Sequence, residues 1–179
     1  HITSLPGDRH CGTLGREAAA FASFLAASGQ SYWQVLPLGP VCPHWNFSPY
    51  SSPSTFAGNE MLIDPRPLHE RGWITADELR AGAGVPAGDF CDLDAAAARN
   101  ALWLEASARR FFAAGAPDDA FAAFCAREKD WLEDYALFRA LADRFATFQW
   151  TAWPGDISRR EPAAVARWQK ELQDAIRRR

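Results

Sequence analysis

The residues that most constrain this chain are Tyr32-Trp33-Gln34-Val35-Leu36, a nearly continuous run of bulk that stops at Pro37. Runs of this kind are typically buried on both faces, as in parallel sheets. Ahead of it, Arg16 to Ala27 is alanine-rich, with Phe21, Phe24, Leu25 and Ser28 at helical spacing, and Gly29 supplies the stop. Further upstream, Ile2-Thr3-Ser4-Leu5 reads as the tail of a strand cut by Pro6-Gly7. The opening of the chain therefore predicts a β-α-β unit, which implies a right-handed crossover and a parallel strand pair. Two parallel strands alone make no stable sheet, so the unit reads as either the start of a larger α/β barrel or half of something lost.

A long loop follows the second strand, dense in Pro, Gly, Ser and aromatic residues, and runs to Asp64. A strand that feeds such a loop is a common way to build a small-molecule site. After Asp64 the character changes to helix. Short turns are expected at 65–71 and 75–81, then a Gly/Pro-rich connector at 82–92. Longer helices are expected at 94–114, 117–127, 129–145 and 161–178, with Pro117-Asp118-Asp119 and Pro162 marking two starts. Trp131, Tyr135, Phe138, Ala142 and Phe145 form one stripe of the third long helix and read as core. The expected division is a βαβ unit with its loop at 1–64, a helical inserted subdomain at 65–160, and a helix leading back towards the sheet at 161–179.

The chain has 179 residues, 48% of them hydrophobic, enough for one sizeable core. Its net charge is −3 with both signs dispersed, so nothing points to nucleic acid. No apolar run approaches the roughly 20 residues of a membrane span. No signal peptide is visible, although the chain begins at His1 rather than Met. Cys11, Cys42, Cys91 and Cys125 stand far apart without a C-x-x-C pair, and read as reduced thiols of a cytoplasmic protein. Cys42 with His44, or His10 with Cys11, matches no zinc spacing, so no metal or cofactor is expected. Glu133-Asp134 is no catalytic pair, because neighbours on a helix point about 100° apart.

Several blocks of the chain carry a family resemblance. His1-Ile2-Thr3-Ser4-Leu5-Pro6-Gly7 resembles the H-P-T-S-L-P-G opening of amylomaltases, the 4-α-glucanotransferases also called disproportionating enzymes. Tyr32 to Pro40 looks like the second-strand signature of that family without change. Ser48-Pro49-Tyr50 followed by Ser54-x-Phe56-Ala57-Gly58-Asn59 resembles its substrate loop, and Trp131 to Phe138 is similar to its helical W-L-E-D-Y-A-L-F block. The departures are Ile2 for proline, His10 and Thr13 for glycine and aspartate, and a longer Val41–Phe47 segment without Gly-x-Gly-Asp.

The resemblance implies a (β/α)8 barrel with helical insertions, of which this chain would hold the first two strands. It implies that Ser48 and Tyr50 contact the donor sugar, the tyrosine face against the C–H face of a pyranose. It further implies retaining chemistry through a glycosyl-enzyme intermediate on malto-oligosaccharides. The three catalytic carboxylates would lie beyond Arg179, so no catalytic residue is expected here and the chain alone should be inactive. The alternatives are a non-catalytic glucan-binding or regulatory protein of the same descent, and a helical interaction module. Trp33 reads as core, and Trp45 as either a sugar platform or a surface cap. Asn59 and Asp64 are expected to close the loop through side-chain to backbone bonds as readily as to touch sugar. Chain-length preference and oligomeric state are not legible.

Overall fold

A computed structural model describes residues 1–6, 11–81, 91–115 and 119–178. His10, Pro117-Asp118 and most of the expected connector lie outside the described residues. The chain divides into two compact units, His1–Gly115 and Ala116–Arg179.

In the first unit, the expected strand at the start is instead a 3-10 turn, Ile2–Ser4, capped by the His1 side chain. Its carbonyls are already taken: that of Ile2 accepts from the Leu5 amide at 3.1 Å and that of Thr3 from the Gly12 amide at 2.9 Å. The second expected strand, Tyr32–Leu36, is not formed either, and no strand exists among the described residues. Tyr32 is 93% exposed and Leu36 39%. The reason is physical: a parallel strand is held by ladders to its neighbours, and the opening segment has satisfied its own backbone locally.

The helix α1 spans Arg16–Ala27 as expected, but only Ala18 of it is buried. Phe21 meets Trp33 edge to face with ring centres 4.9 Å apart, but Trp33 is half-buried and belongs to none of the core clusters among the described residues, so the core role expected for it is not met. Two short helices follow, α2 at Arg66–Glu70 and α3 at Ala76–Ala81. Ahead of α3, Thr75 and Glu78 form a reciprocal capping box: the Thr75 amide donates to Glu78 Oε2 and the Glu78 amide to Thr75 Oγ1. The long α4, Leu93–Ala113, is capped by Asp92, whose side chain accepts from the Ala95 amide. It buries Trp103 and Ala106 against Ile74, and the Trp103 indole donates to the Glu78 carbonyl at 2.8 Å.

In the second unit the two helices expected at 117–127 and 129–145 are one continuous helix, α5, Asp119–Arg144. Nothing at Glu128-Lys129 breaks it, since neither residue is a helix stopper. The short α6, Gly155–Ser158, precedes α7, Pro162–Glu171, and a bend at Leu172 separates α7 from α8, Gln173–Arg177. Leu137, Leu141, Trp153, Ile157 and Trp168 build the core, with Phe138 and Phe145 packed against it. The later part of the expected stripe, Phe138, Ala142 and Phe145, belongs to this core, whereas Trp131 and Tyr135 are half-buried and lie outside it. Asp134 pairs with Arg160 on the surface, consistent with a solvated face.

Candidate functional site

The loop from Leu38 to Leu62 is held closed at its base. The Asn59 amide donates to the Leu38 carbonyl at 2.8 Å, and the Leu14 amide to that of Leu62 at 2.7 Å. Asn59 Oδ1 accepts from the Met61 amide and Asp64 Oδ1 from the Arg66 amide, so both residues close the loop through the local bonds anticipated for them.

Inside the loop, Pro43–Trp45 makes a 3-10 turn that ends at Asn46 and Phe47, both left-handed, with φ of 50° and 54°. That pair of residues turns the chain so that Ser48 follows with its amide on the Trp45 carbonyl at 3.0 Å. The Ser48 hydroxyl oxygen accepts from the Tyr50 amide at 3.3 Å, an ST turn that orders the Ser-Pro-Tyr corner. Tyr50 is 75% exposed, its ring free of packing obligations among the core residues. Two residues on, Ser52 donates to the Ser54 carbonyl at 2.8 Å and lies against Gly39. A Cβ at Gly39 would sit 2.7 Å from Ser52 Oγ, so the strap needs glycine beneath it.

An ion network fixes the far end. Arg66 Nη1 donates to Glu17 Oε1 at 2.8 Å, with a second close bond from Nη2 to Oε2, and its Nε donates to Asp64 at 2.8 Å. This bidentate arrangement ties α1 to the segment leaving the loop. The hydrogen bond from Arg66 holds the Glu17 carboxyl at about 2, and burial opposes it only partly. Ser48 and Tyr50 therefore stand together on a braced corner, whereas Glu17, Asp64 and Arg66 serve the brace.

Beside the corner lies a cavity of about 390 Å³, lined by Pro43, Asn46, Phe47 and the Cys91–Asp94 segment. Cys91 is bonded to Cys11 with the Cα atoms 5.0 Å apart, which corrects the expectation of four reduced thiols. Cys42 and Cys125 are free. Separation in sequence hid the pairing, because 80 residues part the two cysteines and only the fold brings them within bonding range. The Ser52–Gly39 strap was also missed, though a Gly beside a Ser-rich turn was the available signal. Among the described residues there is no cluster of three or more His, Cys, Asp or Glu able to hold a metal, and no helix is long and apolar enough to cross a membrane.

Comparison supplies the family. The model of the 4-alpha-glucanotransferase family matches residues 1–179, and the chain belongs to that family. It is 43% identical to a 4-alpha-glucanotransferase of Thermus thermophilus over 98% of its own length and 34% of that protein's. It is 35% identical to one from Clostridium butyricum, again over 98% of this chain and 35% of the relative. The structure resembles an amylomaltase from Streptococcus agalactiae in complex with acarbose, with a TM-score of 0.84, 32% identity, and coverage of 99% of this chain and 36% of that one. The chain thus spans about a third of the length of the relatives it matches.

Proposed function

We propose that the whole protein is a 4-alpha-glucanotransferase that moves α-1,4-glucan segments between malto-oligosaccharides, and that this chain supplies part of its donor-sugar site. The observation that carries the reading is the family match across residues 1–179, coupled to a Ser48–Tyr50 corner that leaves the Tyr50 ring exposed on a braced loop. In this reading the Tyr50 face stacks on a pyranose and Ser48 offers its hydroxyl to a glucan hydroxyl. Chemistry proceeds with retention through a glycosyl-enzyme intermediate, on carboxylates outside these residues. A (β/α)8 barrel of which this chain forms part, and the division at residues 64 and 160, belong to the same proposal. So does residence in the cytoplasm.

Incubation of the full-length protein with maltotriose tests it. The expected products are glucose and longer dextrins. Tyr50→Ala is expected to lower kcat/KM by at least about tenfold, the scale of one lost positioning contact, with an unchanged melting temperature. Maltodextrin affinity without turnover would overturn the enzyme reading and leave a glucan-binding protein. Unaltered kinetics in Tyr50→Ala would remove Tyr50 from the site.

A further inference from the structure

We propose that the Cys11–Cys91 disulfide is a thiol–disulfide exchange site, opened by a dithiol reductant that reaches Cys91 through the cavity beside the Ser48–Tyr50 corner. The two sulfurs are unequal. Cys11 is 5% exposed and packs with Met61 and Ala96, closed to an incoming thiol. Cys91 is only half-buried and lines the cavity with Pro43, Asn46 and Phe47. Attack is therefore directed to Cys91 Sγ. A thiolate of the reductant bonds to it, the Cys11–Cys91 bond breaks, and Cys11 leaves as a thiolate that takes a proton. The second thiol of the reductant then resolves the mixed disulfide and releases Cys91. Two electrons and two protons pass to the protein, and the reductant leaves as its own disulfide.

The packing around the pair survives the change. Cys11 and Cys91 sit with Met61, Ala96, Val41, Phe47 and Leu93 in one apolar cluster, where two thiols serve as small hydrophobes. What is lost is the covalent tie between the Cys11 segment and the residue just ahead of the Asp92 cap of α4. Phe47, the immediate neighbour of Ser48, packs on that same cluster, so the redox state of the pair reaches the substrate corner. Only this last link rests on the glucan-transfer reading, since the thiol chemistry stands without it. Asp92 and Asp94 line the same cavity as Cys91, so an uncharged dithiol is the suitable probe.

The full-length protein, purified without reductant, is digested after alkylation and analysed by mass spectrometry, before and after native treatment with dithiothreitol. The expected result is a cross-linked peptide pair holding Cys11 and Cys91, converted by dithiothreitol to two alkylated thiols while buried Cys42 stays unlabelled. Free alkylation of both residues in untreated protein, or reduction only after a denaturant is added, would overturn the proposal. Cys11→Ala/Cys91→Ala supplies a second readout. Hydrogen exchange of the α4 first-turn amides is expected to rise in the wild type on reduction and to be raised already, and insensitive to dithiothreitol, in the double variant. An equal response to dithiothreitol in both proteins would also sink the assignment. Loss of glucan transfer in every form would count against the proposed function and leave these thiol readouts intact.

Discussion

A methyl group added at Gly12 would collide with the Ile2 carbonyl oxygen and lie 3.0 Å from the Leu5 amide nitrogen. Backbone cannot swing aside as a side chain can, so Gly12→Ala is expected to cost about 2–3 kcal/mol, the upper range for overpacking, read by urea unfolding. Gly39 is a milder case with a sharper consequence. Its nearest obstruction is the Ser52 hydroxyl, which can rotate away only by releasing Ser54, while the Ser54 carbonyl oxygen at 3.1 Å and the Ser52 Cβ at 3.2 Å must give by a few tenths of an ångström. Gly39→Ala is expected to cost about 1 kcal/mol of stability and to raise KM for maltotriose several-fold by loosening the corner. Adding Ser52→Ala should return part of the stability without returning KM. A variant whose KM stays at the wild-type value would show that the strap does not set the corner.

At the scale of elements, the Glu17–Arg66–Asp64 network makes a statement about acid. Arg66 depresses the Glu17 carboxyl from 4.5 to about 2, so the folded state holds fewer protons than the unfolded chain between those values. The stabilisation is complete above pH 4.5 and is lost as pH falls towards 2. Since the pair is partly exposed, Glu17→Gln is expected to remove about 1–2 kcal/mol at neutral pH. The gap between variant and wild type should then close on acidification in a pH series of denaturant midpoints. A gap that held constant to low pH would assign the effect to shape rather than charge. The α4 cap is a simpler case: Asp92→Ala leaves the Ala95 amide without its partner and is expected to cost about 1 kcal/mol.

At the scale of the whole molecule, two units with separate cores should respond separately. Leu137 is 2% exposed at the centre of the second core, and Leu137→Ala is expected to cost about 2–5 kcal/mol. Hydrogen exchange should show the loss in residues 119–178 while protection in α4 is retained. Uniform loss across both units would mean that they unfold as one. In the first unit Phe24, Tyr32 and Leu38 are exposed. These 179 residues alone should therefore bind a hydrophobic dye that the full-length protein, covering them with the rest of its chain, does not.

The sequence by itself determined the boundaries of α1, the helical character after Asp64, the Phe138–Phe145 part of the α5 stripe that packs on the core, and the loop that carries Ser48 and Tyr50. Each of these rests on information local to a few turns of chain: helical periodicity, Gly and Pro punctuation, or a contiguous motif. Three things did not follow from it. The strand signal at Tyr32–Leu36 is real as hydrophobic pattern, but a strand exists only when a neighbour supplies its ladder, and none does among the described residues. The apparent break near Glu128 disappears because α5 is held by packing of one face along the part that follows it. The Cys11–Cys91 bond and the cavity beside it join segments 80 residues apart. No local rule fixes that distance. Only the tertiary structure could decide it, because the cluster of Met61, Ala96 and Phe47 brings the two sulfurs together.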